Sequence, residues 1–317
     1  MDAHDRQAME TFFAQEDEEG ISNARKAEER HQVIRRVETT PKDRSFEAAD
    51  DAGRACADGL PIGVVEVDGK LVGLGIHILN EDVYPLQSFE IYLRDCDLVG
   101  HLDVSGCADM VFLDLYRNRI TSVDVADMPA MRILGLQENQ IPAFDPTGLP
   151  VCQGIDIGMN RLECIDVSQN PELVELYVND NRLSSLDTSQ NPKLRYLRCQ
   201  NNRISELDTT RNPQLRHLYA TGNPLKKVAA LAPGRQEGLP LELVAGEGGS
   251  VGLSFNPLYD AQWKETGEWE QSYHAYPDEG YGFAGWYDRE GTCLSTDADW
   301  VDGYGCSRCL EARFVRL

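Results

Sequence analysis

Apolar and polar positions along the middle of the chain repeat every 21 residues. Asn118, Asn139, Asn160, Asn181, Asn202 and Asn223 mark the period. Five positions before each stand Leu113, Leu134, Ile155, Leu176, Leu197 and Leu218, and three before stand Leu115, Leu136, Ile157, Val178, Cys199 and Ala220. Two after come Ile120, Ile141, Leu162, Leu183, Ile204 and Leu225. An earlier copy, Ile91-x-Leu93-x-x-Cys96-x-Leu98, carries Cys in the Asn slot and brings the count to about seven. A fixed period of this length predicts a solenoid, because one coil cannot bury its apolar side alone and must stack on the next. The Leu-x-Leu stretch alternates like a strand, so strands are expected at 91–93, 113–115, 134–136, 155–157, 176–178, 197–199 and 218–220, paired in one parallel sheet. The rest of each coil is short and broken by Pro129, Pro150, Pro171, Pro192 and Pro213, which predicts turns and not full helices.

The repeated asparagines read as structural. Where the chain leaves a strand its backbone groups lose their ladder partners, and a buried amide offers both a donor and an acceptor to replace them. The column Asp103, Asp124, Asp145, Asp166, Asp187 and Asp208 reads as caps on local N–H groups. A calcium channel is the other reading of such a column, but the Gly-rich nonapeptide of calcium-binding β-rolls is absent.

The stretch Leu186-Asp187-Thr188-Ser189-Gln190-Asn191-Pro192-Lys193-Leu194-Arg195-Tyr196-Leu197-Arg198-Cys199-Gln200-Asn201-Asn202 resembles the short bacterial leucine-rich repeats of internalin-like and gut-bacterial surface proteins. The resemblance covers about residues 91–228. It implies an α/β-type solenoid dominated by β, right-handed, with its parallel sheet on a concave face that recognises a protein or a glycan. Fold alone does not assign the partner.

Three segments are expected. Residues 1–60 carry the acidic run Glu16-Asp17-Glu18-Glu19 and a charged amphipathic stretch from Ile21 to Val37, which predict an N-terminal helical cap. Residues 61–233 form the solenoid, opening with a hairpin around Asp68-Gly69 and a partial coil near Leu74 and Ile76. Residues 234–317 hold all four Trp (263, 269, 286, 300) and short alternating runs, which predict a small antiparallel β module. Gly282-Phe283-Ala284-Gly285-Trp286 there resembles the β repeat modules that follow leucine-rich repeats in bacterial surface proteins.

Composition narrows the function. With 30 Lys+Arg against 53 Asp+Glu the formal charge is −23, which argues against nucleic acid as a partner. No apolar run is long enough to insert in a membrane. Met1-Asp2-Ala3-His4-Asp5-Arg6 lacks a secretion signal's pattern, which favours the cytoplasm, whereas the resemblance favours the cell surface or secretion. Nine cysteines are spread along the chain, and several occupy core columns. Cys293, Cys306 and Cys309, with His274 as a fourth ligand, are the one metal or thiol cluster weighed, with zinc, a local disulfide and free thiols all open. Cys56-Ala57-Asp58 and Cys107-Ala108-Asp109 match the Cys-x-Asp of leucine-rich-repeat ubiquitin ligases, but the helical catalytic domain is missing. No phosphate-binding Gly loop or nucleophile elbow occurs. A non-enzymatic, monomeric binding protein without a cofactor is expected.

The binding residues follow from strand geometry. If the leucines face inward, the flanking positions face out, and the last three coils offer Tyr177, Tyr196, Arg198, His217 and Tyr219 with Arg195 and Arg216 at the edge. Aromatic rings and guanidinium groups are what an interface hot spot uses.

Overall fold

The computed structural model describes residues 3–27, 64–67, 70–74, 93, 95–231, 240–260, 265–302 and 309–317. The amphipathic stretch beyond residue 27, Cys56, Asp68-Gly69, Ile76, Ile91, Trp263 and Cys306 lie outside them. The chain is a β-solenoid with coils of about 21 residues and about six turns, and it divides into two compact units, Met1–Arg161 and Leu162–Leu317.

The first unit contains α1 (Ala3–Ala14), β1 (Val64–Val67), β2 (Lys70–Leu74), β3 (Val99–Asp103), β4 (Phe112–Asp114), β5 (Arg119–Asp124), β6 (Ile133–Gly135) and β7 (Gly154–Asp156). β4, β6 and β7 pair in parallel with Leu113, Leu134 and Ile155 in register. On the turn side of the coils β3 pairs in parallel with β5. The coil strands run one residue earlier than the repeat predicts. Leu115 N–H still bonds Gly135 O at 2.7 Å, but the chain is already bending toward Arg117 at φ 54°. The strand expected at 91–93 falls largely outside the described residues; β2 pairs antiparallel with β1 and in parallel with β4. Asp95, with φ 56°, holds the left-handed position before the Cys96 slot, as Arg117 does before Asn118, and its N–H bonds Tyr116 O at 2.9 Å.

The second unit contains β8 (Glu175–Tyr177), β9 (Tyr196–Arg198), β10 (Glu206–Asp208), β11 (His217–Tyr219), β12 (Lys227–Ala230), β13 (Leu241–Ala245), β14 (Gly249–Tyr259), β15 (Glu265–Pro277), β16 (Tyr281–Tyr287), β17 (Cys293–Ser295), β18 (Asp299–Asp302) and β19 (Cys309–Arg316). Coil strands β8, β9 and β11 are parallel, and β14, β15 and β18 extend their sheet antiparallel. A second sheet runs β10-β12-β13-β19-β16-β17. Trp286, Tyr273 and Phe255 are fully buried, and Trp286 Nε1–H donates to Asp297 O at 2.9 Å, the polar partner a buried indole needs.

The 21-residue asparagines form the ladder of hydrogen bonds that their spacing suggests. Leu98 N–H bonds Asn118 Oδ1, Ile120 N–H bonds Asn139 Oδ1, and Ile141 N–H bonds Asn160 Oδ1, at 2.9–3.0 Å. Leu183 N–H and Ile204 N–H do the same with Asn202 and Asn223. Each amide also donates to carbonyls at the strand exit: Asn202 Nδ2 reaches Val178 O at 2.9 Å and Cys199 O at 3.1 Å. The residue before each asparagine is left-handed: Arg117, Glu138, Met159, Asp180 and Asn201 have φ of 52–56°, and Gly222 has 68°. That reversal aims the next side chain back into the coil. Cys96, Cys107, Cys152 and Cys199 are buried, and burial pushes the Cys152 and Cys199 thiols up to about 12, so these two act as small apolar core residues.

Candidate interaction face

In the second unit the parallel register stacks equivalent side chains in rows. Glu175, Tyr196 and His217 are aligned, as are Tyr177, Arg198 and Tyr219. Adjacent strands lie about 4.8 Å apart, so each row brings its rings and charges to about that spacing. The Arg198 guanidinium lies 4.9 Å from the Tyr177 ring centroid and 5.4 Å from that of Tyr219. Tyr196 and His217 stack at 4.3 Å with 14° between planes.

The residues named from sequence differ in exposure. Arg198 is exposed, and Tyr196, His217, Tyr219, Arg195 and Arg216 are half-buried. The expectation that Tyr177 faces solvent is corrected, because only 9% of it is exposed. Its hydroxyl donates to Glu175 Oε2 at 3.2 Å, and Glu175 is itself fully buried. Strand alternation sets which way a side chain leaves the sheet, but not whether other parts of the chain cover it.

Sequence reasoning missed the contribution of β14 and β15. Arg216 pairs with Glu265 and lies 5.4 Å from the Trp269 ring centroid. His217 adjoins Asn256, and its pKa is lowered to about 4. Burial is the main cause, opposed by the neighbouring Asn256 side chain and reinforced by Arg216, Arg198 and Arg195. No repeat encodes Glu265, Asn256 or Trp269, so no periodicity could have found them.

The same rows in the first unit hold Asp114, Gly135 and Asp156. Asp114 Oδ1 accepts from Tyr116 N–H at 3.0 Å, and Asp156 Oδ1 from Gly158 N–H at 3.2 Å. A Cβ on Gly135 would lie 3.0 Å from Asp114 Oδ1, so the small residue leaves room for the carboxylate.

On the turn side the aspartates cap N–H groups two residues on. Ser105, Thr147, Ser168, Ser189 and Thr210 N–H bond Asp103, Asp145, Asp166, Asp187 and Asp208 at 2.8–3.0 Å. Backbone and side-chain bonds from Ser168 lower the Asp166 pKa. Among the described residues, potential metal ligands converge in one group: the exposed His101, Asp103 and Asp124, with ligand atoms within 4.8 Å of one another. Cys293 and Cys309 are free, and His274 Nδ1 contacts Asp299 Oδ1 at 2.9 Å.

No family model and no curated relative matches the chain. Among solved structures it is similar to a leucine-rich-repeat protein of Leptospira interrogans, at 23% identity and a TM-score of 0.37 over 38% of this chain and 34% of that one. It is also similar to the functional domain of InlJ from Listeria monocytogenes, described as including a cysteine ladder, at 16% identity and a TM-score of 0.22 over 58% of this chain and 65% of that one. The chain thus spans about a third of the first protein and under two thirds of the second. Among the described residues no helix is long and apolar enough to cross a membrane.

Proposed function

We propose that the chain is a non-catalytic binding protein that recognises a protein partner through the outward face of β8, β9 and β11. On this reading residues 61–233 supply the repeat scaffold, 1–60 cap it and 234–317 close its other end. The resemblance of the repeats to surface-protein repeats supports a role at the bacterial cell surface or in contact with a host. The observation that carries the proposal is the exposed Arg198 guanidinium between the rings of Tyr177 and Tyr219, beside the Tyr196–His217 stack. Such a cluster buries apolar area and keeps polar edges available, and the strand register holds it in place, so little side-chain entropy is lost on binding.

The test compares the whole chain with a Y196A/R198A/Y219A variant in capture from host- and bacterial-surface protein extracts. Tyr177 is left in place because its burial makes it a packing residue. A partner retained by the parent and lost by the variant, with unchanged circular dichroism and melting, is the expected result. A partner captured equally by both moves the site elsewhere.

A further inference from the structure

Four arginines lie against aromatic rings among the described residues, and three have a glutamate of this chain to complete the arrangement. Arg117, 6.0 Å from the Tyr116 ring, pairs with Glu138 at 3.2 Å. Arg313, 4.2 Å from the Tyr287 ring, pairs with Glu311 at 2.9 Å. Arg216, over Trp269, pairs with Glu265. Arg198 has two rings where the others have one, is exposed, and has no ion-pair partner among the described residues.

We infer that Arg198 is the docking point for an aspartate or glutamate side chain of the partner protein, which supplies the carboxylate this chain supplies to Arg117, Arg216 and Arg313. The inference rests on the proposed binding face and specifies its chemistry. With a ring on either side, the guanidinium is held by the strand register, and the free direction is its N–H edge. That edge is a planar fork matched to the two oxygens of a carboxylate. Pre-ordering the arginine removes much of the rotamer entropy a surface ion pair loses, which is why the contact can add affinity where an isolated pair adds little. The formal charge of −23 sets the other boundary: long-range repulsion grows with the partner's total negative charge. A protein segment with one carboxylate among apolar and neutral residues is favoured over a polyanion.

The probe is a phage-displayed library of random twelve-residue peptides selected on the full chain. Enriched peptides should share an Asp or Glu at one position. Changing that residue to Asn or Gln should weaken binding about tenfold or more, and R198K should do the same because a lysine lacks the fork. Peptides that lose binding to a Y196A/Y219A variant but carry no shared acid, or bind R198K as well as the parent, overturn the carboxylate inference and leave the binding face standing. Peptides indifferent to Y196A, R198A and Y219A, or a library that yields no binder, overturn both.

Discussion

The two units build the same coil and fill its turn side with opposite chemistry. At one register position the first unit places Cys107, Met128 and Leu149, all fully buried, and the second places Asn170, Asn191 and Asn212, also fully buried. Three positions earlier the residues are Val104, Val125 and Pro146 in the first unit and Val167, Thr188 and Thr209 in the second. The asparagines form a ladder of their own. Asn191 Nδ2 donates to Val167 O and Asn170 O at 2.9 Å, and Asn212 Nδ2 donates to Thr188 O and Asn191 O at 2.8 and 2.9 Å. Thr188 Oγ1 adds a bond to Asn212 Oδ1 at 2.8 Å. A buried side is therefore closed either by apolar packing or by amides whose N–H groups bond backbone carbonyls, and each solution depends on its neighbours following the same rule.

That dependence gives the largest expected effect. Leu149→Asn puts an amide where Gly148 approaches Val125 O so closely that a Cβ on Gly148 would lie 2.4 Å from it, and should cost about 3–5 kcal/mol from lost packing and an unpaired amide. The reverse change, Asn191→Leu, leaves the carbonyls of Val167 and Asn170 without the donor and should cost about 2–4 kcal/mol. Urea unfolding of the full chain measures both. If either swap proves neutral, the two fillings are interchangeable and the contrast is one of composition only.

Next in size is the strand-side ladder, which both units share. Asn202→Ala removes the acceptor for Leu183 N–H and the donor to Val178 O and Cys199 O, and should cost about 1–3 kcal/mol. Asn139→Ala in the first unit, with equivalent bonds to Ile120, Leu115 and Leu136, should cost about the same. A large difference between the two would show that the units do not rely equally on the shared ladder.

Both ladders share one period, yet only one was read from sequence. The strand-side asparagines recur through six coils between leucines and stand out at once. The turn-side ladder occupies only 170, 191 and 212, each hidden before a repeated proline, and its column turns apolar at Leu149, so it looks like a variable position. The signal was present as Asn-Pro at 21-residue spacing. The aspartate caps were also legible, because an Asx turn needs only local sequence. The pairing of Arg216 with Glu265 depends on a segment outside the repeat, which no period describes.

Smaller effects come from the left-handed position before each strand-side asparagine. Met159 in the first unit is 43% exposed and has φ 52°. Met159→Gly should raise stability by up to about 1 kcal/mol, because glycine carries no Cβ cost there. The second unit ends the same column with Gly222, where a Cβ would meet Asn201 Oδ1 at 2.2 Å. Gly222→Ala should destabilise by about 1–2 kcal/mol. A loss of stability in Met159→Gly would mean that the methionine side chain makes a contribution larger than its backbone strain.

The smallest effect is electrostatic and distinguishes the units in acid. His217 in the second unit is lowered from 6.5 to about 4, and Asp17 in the first from 3.8 to about 2 through Lys26 and local backbone N–H groups. For His217 the unfolded chain binds a proton that the folded chain refuses, so its contribution to stability is unaffected above pH 6.5 and falls as pH drops from 6.5 to about 4. For Asp17 the folded chain holds the ionised form, so its contribution is present above pH 3.8 and is lost as pH falls toward 2. Acid should therefore weaken the His217 region before the Asp17 region, which hydrogen exchange at individual amides can follow. R198Q sharpens the test, because it removes one of three nearby positive charges without exposing the ring. The His217 midpoint, read from its imidazole NMR signals, should rise but stay below 6.5, since burial is the larger cause. A midpoint that does not move would show that Arg198 is too well screened to act on His217, while one that returns to 6.5 would show that Arg198 also keeps solvent away from the ring.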